Sequence, residues 1–180
     1  MENITNAERN KMAATYGLLL GLIYVILTTG VNMAVGSLFG FYGLKFVVFV
    51  LYFVMLGVFA ARIRTANGGF ITFKEVFGAV IIIIFIAALI NYLYTAIYIK
   101  YIDPAFMDKM KNTTIQYMEK NKVDEARIDE SVRKFDEGIV ASKKFDLGKN
   151  VLAYFELVIF DCLIGLIVCA IVKKNRPVFE

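Results

Sequence analysis

Between Val76 and Ile99 the chain runs through an almost unbroken apolar stretch in which only Asn91 and Thr95 are frankly polar. As a helix this stretch is ~36 Å long at ~1.5 Å per residue, enough to cross a ~30 Å hydrocarbon core. Its start is marked. Asn67-Gly68-Gly69 reads as a turn, and Thr72-Phe73-Lys74-Glu75 fits a capping box. In such a box the Thr72 hydroxyl takes the backbone N–H of Glu75, and the Glu75 carboxylate reaches back.

Composition agrees with lipid as the solvent. Of 180 residues, 59% are hydrophobic, well above the share in a water-soluble domain. The net charge of +4 arises from 20 basic and 16 acidic residues. Much of the basic excess lies beside apolar runs, where anionic headgroups attract it. No basic patch of the kind that binds nucleic acid is visible. The chain has no His, which removes His metal sites, His general bases and haem ligation together. Cys162 and Cys169 lie inside one apolar run, seven residues apart, and read as small apolar filler. No cofactor is expected.

Four spans are expected, at about 12–38, 44–61, 74–102 and 151–172. Ala34-Val35-Gly36 resembles a signal-peptide cleavage site, but the apolar stretch is about twice a usual h-region, so a retained helix is expected. Within span one, Ala13, Gly17 and Gly21 recur every four residues, a small-residue face suited to close helix packing. Packing inside the chain is favoured over a dimer seam. A Gly-rich turn over 37–43 leads to span two. Tyr92, Tyr94, Tyr98 and Tyr101 crowd the far half of span three like an interfacial aromatic belt.

At Asp103-Pro104 the composition changes, with Asp expected as N-cap and Pro as first helical residue. Residues 103–149 hold 10 Lys/Arg and 10 Asp/Glu, too many for a span. Met107, Met110, Thr114, Tyr117 and Met118 follow helical spacing, as do Ile128, Val132, Phe135 and Ile139. The expectation is an extramembrane helical hairpin broken near 121–123. The fold class is therefore an all-α membrane protein, with four transmembrane helices and a hairpin between helices three and four. The chain reads as a single four-span domain carrying that insert.

An ionisable group in hydrocarbon costs from ~2.5 kcal/mol upward, so it needs a partner or water. Thr28, Asn32, Lys45, Asn91, Thr95 and Glu156 come from all four spans and fall at similar depth in one leaflet, with Asp161 near mid-span. An internal polar cluster is expected, in which Lys45 neutralises Glu156. It would fix helix register, or else Glu156 and Asp161 would line an ion, proton or small-ligand path. Glu156 and Asp161 are about 140° apart around one helix at ~100° per residue, and the four spans lack the broken helices of many transporters.

The stretch Asn67-Gly68-Gly69-Phe70-Ile71-Thr72-Phe73-Lys74-Glu75-Val76-Phe77 resembles the signature of a family of uncharacterised bacterial membrane proteins, the domain of unknown function numbered 4199, common in Bacteroidota. The span ending at Ile102-Asp103-Pro104, the charged insert and the last span are similar too. The resemblance implies a four-span bacterial inner-membrane protein and brings no catalytic residue, substrate or cofactor.

Four spans put both termini on one side, and the short basic segments there place them in the cytoplasm, although the raw tally of Lys and Arg leans the other way. No GxSxG, HExxH or phosphate-loop spacing occurs, so an enzyme is not expected. The expected function is a non-enzymatic membrane component, embedded in the lipid bilayer, whose 104–148 hairpin binds a partner protein or a second copy. The alternative is a small transporter or channel using Glu156 and Asp161.

Overall fold

A computed structural model describes residues 4–33, 38–143 and 146–176. Among them lie six α-helices: α1 (Asn6–Met33), α2 (Leu38–Ala66), α3 (Phe73–Ile97), α4 (Phe106–Lys120), α5 (Glu125–Lys143) and α6 (Leu147–Val172). A π-helical turn, Tyr98–Ile102, extends α3. The described residues contain no β-strand, only a single antiparallel bridge between Ile71 and Lys174.

Helices α1, α2, α3 with its π turn, and α6 are long and apolar enough to cross a membrane. Their outward faces carry Leu22, Ile26, Phe46, Ile167 and Ile171, all more than half exposed. Large apolar side chains on every outer face are what a lipid-facing surface presents, and a water-facing one of this extent would aggregate. The chain is an all-α, multi-pass membrane protein.

Helix starts are set by side-chain caps. At α3 the capping box forms as the sequence indicates, Thr72 and Glu75 each satisfying the other's backbone N–H. A second box, not anticipated, starts α1: the Thr5 N–H donates to Glu8, and the Glu8 N–H donates to the Thr5 hydroxyl. Asp146 caps α6 by accepting the Lys149 N–H at 3.1 Å. These caps lengthen the spans beyond their apolar runs, so α1 and α6 begin earlier than expected.

Two expectations need correction, and a third falls on residues that are not described. The Gly-rich turn over 37–43 is largely helix, because α2 already runs from Leu38 and includes Gly40 and Gly43. The resemblance to a cleavage site at 34–36 lies outside the described residues. Asp103 does not cap α4 through its side chain. Pro104 and Ala105 form a turn first, and the Asp103 carboxylate instead takes the Lys109 ammonium at 2.8 Å.

In the bundle α3 touches each of the other three spans, and α1 lies closest to it. The small-residue face of α1 explains that approach. A Cβ on Gly17 would sit 3.0 Å from the Ile83 carbonyl oxygen, and one on Gly21 would sit 3.1 Å from the Ala87 Cα. The face is used within the chain. Gly165 lets α6 approach in the same way, against Ile84 and Val80. The core between the spans is Leu20, Leu56, Ile63, Val80, Ile83 and Ile84, all fully buried. Cys169 is buried among them and free.

One end of the bundle is laced by polar contacts. Arg9 of α1 pairs with Glu75 of α3 at 3.2 Å, and Arg64 of α2 donates to the Val172 carbonyl of α6. Ile71 and Lys174 exchange backbone hydrogen bonds of 2.9 and 3.0 Å. Gly68 and Gly69 have φ of 72° and 85°, the left-handed region that a Cβ disfavours, and they turn the chain between α2 and α3.

At the other end α4 and α5 pack side by side, joined at Asn121–Asp124. Lys111 bridges to Asp136 at 2.6 Å across the pair. On α5 a hydrogen bond from Lys134 lowers the pKa of Glu130. α4 leans on α2, and Met110 joins Val31, Phe41 and Val48 in a second apolar cluster.

Candidate functional site

A partly open cavity of about 300 Å³ lies where α4 meets the ends of the spans. Five of the seven polar residues expected to cluster line it: Thr28 and Asn32 from α1, Lys45 from α2, and Asn91 and Thr95 from α3.

Their hydrogen bonding differs from one to the next. Thr28 is buried and donates to the Tyr24 carbonyl of its own helix turn. Thr95 does the same to the Asn91 carbonyl at 2.9 Å. Such back-bonding satisfies a hydroxyl in an apolar surrounding without a partner from another helix. Asn32 is not satisfied: its Oδ1 is buried and accepts no hydrogen bond. The Lys45 ammonium lies 5.4 Å from the centroid of the Phe41 ring, a cation–π contact.

A family model described as a protein of unknown function, DUF4199, matches residues 15–174. The chain belongs to the DUF4199 family. No curated protein and no solved structure matches it.

In this DUF4199 chain Glu156 and Asp161 stand apart from the cavity. Glu156 is exposed on the outer face of α6, and among the described residues it forms no ion pair with Lys45. The expected Lys45–Glu156 neutralisation is not made. The reason is rotational: the face of α6 turned to the bundle carries Tyr154, Val158, Gly165 and Val168, and Glu156 lies off it. Asp161 is half-buried and faces Tyr52 and Tyr24. The buried Tyr52 hydroxyl lies near its carboxylate without closing to hydrogen-bond geometry. Tyr24 packs edge-on against Tyr52 and also lines the cavity, so the two tyrosines stand between Asp161 and that space.

Several cavity residues of the DUF4199 chain escaped the sequence reading. Tyr94 and Tyr98 line the cavity, whereas an aromatic belt would have turned them to headgroups. Tyr94 shares a hydrogen bond with Thr29, and Tyr98 is 3% exposed. Tyr92 donates to Asn150 of α6 at 2.7 Å. Of the four tyrosines, Tyr101 does face outward, at 70% exposed. Phe106 closes the cavity from α4, its ring 5.5 Å from that of Tyr98 and 6.3 Å from that of Phe41. The available signal was the position of Phe106 one residue ahead of the helical stripe that Met107 and Met110 begin.

Proposed function

We propose that this chain is a non-enzymatic component of the bacterial inner membrane that presents α4 and α5 to a partner protein or to a second copy of itself. One observation carries the reading. The two helices have apolar stripes, yet Met110 is the one described residue of either helix that becomes buried. Ile128, Val132, Phe135 and Ile139 remain half-covered, and Tyr117 and Val140 are 45% and 56% exposed. Mutual packing therefore uses the stripes only in part. Apolar surface left over on a charged pair outside the spans suits a helix-in-groove or helix-pairing contact.

The basic residues at the opposite end, Lys74, Lys173 and Lys174 among them, favour a cytoplasmic placement of both termini, which puts α4 and α5 on the far side. The test is purification of the full chain from its own membranes, with mass and composition measured in nanodiscs. A dimer or a stoichiometric companion, lost in a Tyr117→Glu/Val140→Glu variant, is the expected result. A monomer with no companion, unchanged by that variant, overturns the reading. The transport alternative has weaker support, since neither Glu156 nor Asp161 lines either of the two cavities described.

A further inference from the structure

The cavity beneath α4 has a cationic side chain in its wall. Lys45 is half-buried in its wall, and among the described residues no carboxylate pairs with it. Among the acids of the neighbouring elements, Asp108 is exposed on α4 and Asp161 faces Tyr52 and Tyr24. Asp103 holds Lys109, Asp136 holds Lys111, and Glu156 is on the outer face of α6. In the α1 wall the Asn32 Oδ1 is buried and lacks a donor. Lys45, with no carboxylate partner among the described residues, and Asn32, whose Oδ1 is buried just behind the wall, thus line one space of about 300 Å³. The rest of the wall is aromatic and apolar, with Phe41, Phe106 and Met107 prominent.

We propose that this cavity binds the phosphoglycerol head of an anionic lipid. The phosphate sits on Lys45, a glycerol hydroxyl donates to the Asn32 Oδ1 once that side chain turns toward the space, and the first carbons lie against Phe41, Phe106 and Met107. A phosphoglycerol carries an anionic oxygen and a hydroxyl donor a few bonds apart, and as a lipid head it is present at high concentration beside a cavity at the ends of the spans. The cavity is at the lower end of ligand-pocket sizes. It takes a head and leaves no room for two acyl chains, which run out of the open side into the surrounding bilayer. Free glycerol phosphate has the same chemistry, and the experiment separates the two sources.

The full chain is purified in a zwitterionic detergent, and phosphatidylglycerol, phosphatidylcholine or glycerol phosphate is added. Bound ligand is counted by native mass spectrometry, and Tm is followed alongside. One phosphatidylglycerol should be retained per chain, with a Tm rise that phosphatidylcholine does not produce. Lys45→Met should weaken retention at least tenfold, and Lys45→Arg should keep it. Retention of glycerol phosphate in competition with the lipid supports the same site and identifies a soluble source. Should Lys45→Met fail to fold, Asn32→Ala takes its place and should weaken retention several-fold. Equal retention of phosphatidylcholine and phosphatidylglycerol, or retention untouched by Lys45→Met or by Asn32→Ala, overturns the proposal.

Discussion

Single residues divide here by what a side chain would meet. A methyl at Gly17 would press on Ile86 Cβ at 2.9 Å and on a backbone oxygen of α3 at 3.0 Å, and neither can yield cheaply. Gly17→Ala is expected to destabilise by ~1–3 kcal/mol, the usual penalty of overpacking. Gly78, in the same bundle, has open space where a Cβ would go. Gly78→Ala should be neutral or stabilise by up to ~1 kcal/mol through helix propensity. Reversible unfolding in mixed detergent micelles measures both. A second residue-scale outcome concerns Lys45 and Glu156. Since the structure keeps them apart, a double-mutant cycle between Lys45→Ala and Glu156→Ala should show no coupling beyond ~0.3–0.5 kcal/mol. A larger coupling would mean that Glu156 turns inward.

Among the elements, helix starts were readable where the cap was local. At a helix start a Thr three residues ahead of a Glu satisfies two backbone donors, and the pattern at Thr5–Glu8 is as plain as that at Thr72–Glu75. An apolar run does not reveal such a start, because the cap lies in the polar flank ahead of it. Thr72→Ala should cost ~1 kcal/mol, a typical N-cap loss. Thr5→Ala should fray the first turn of α1, with faster amide exchange at 6–10. The α4–α5 pair, by contrast, has almost no buried core. Its amides should exchange far faster than those of α1 and α3 in the same preparation, because local opening there exposes little new apolar surface. Uniform protection over 106–143 would show that something else covers the pair.

For the molecule as a whole, the bundle has two unlike ends. One is locked by Arg9–Glu75, Arg64–Val172 and the Ile71–Lys174 bridge. The other is occupied by a cavity with a loosely held helix above it. Such a molecule should open at the α4 end first. Amide exchange at 71–76 should stay slow under mild heating, while Phe106→Cys becomes accessible to a thiol reagent earlier. Proteoliposome flux that vanished in Asp161→Asn would instead favour the transport alternative.

The amino-acid sequence determined the all-helical class and the number of helices long and apolar enough to span. Length, hydropathy and the rise of a helix suffice for these, and Thr28, Asn32, Lys45, Asn91 and Thr95 line one cavity. Only the packed bundle decided rotation. A span that is apolar on every side carries no stripe to separate the face meeting lipid from the face meeting another helix, since a leucine is nearly as well solvated by either. The inward turn of Tyr94 and Tyr98, the outward turn of Glu156, and the closing of the cavity by Phe106 all depended on that rotation. Where the chain did signal a face, in the Ala13-Gly17-Gly21 row, it signalled through steric need, and there the reading and the structure agree.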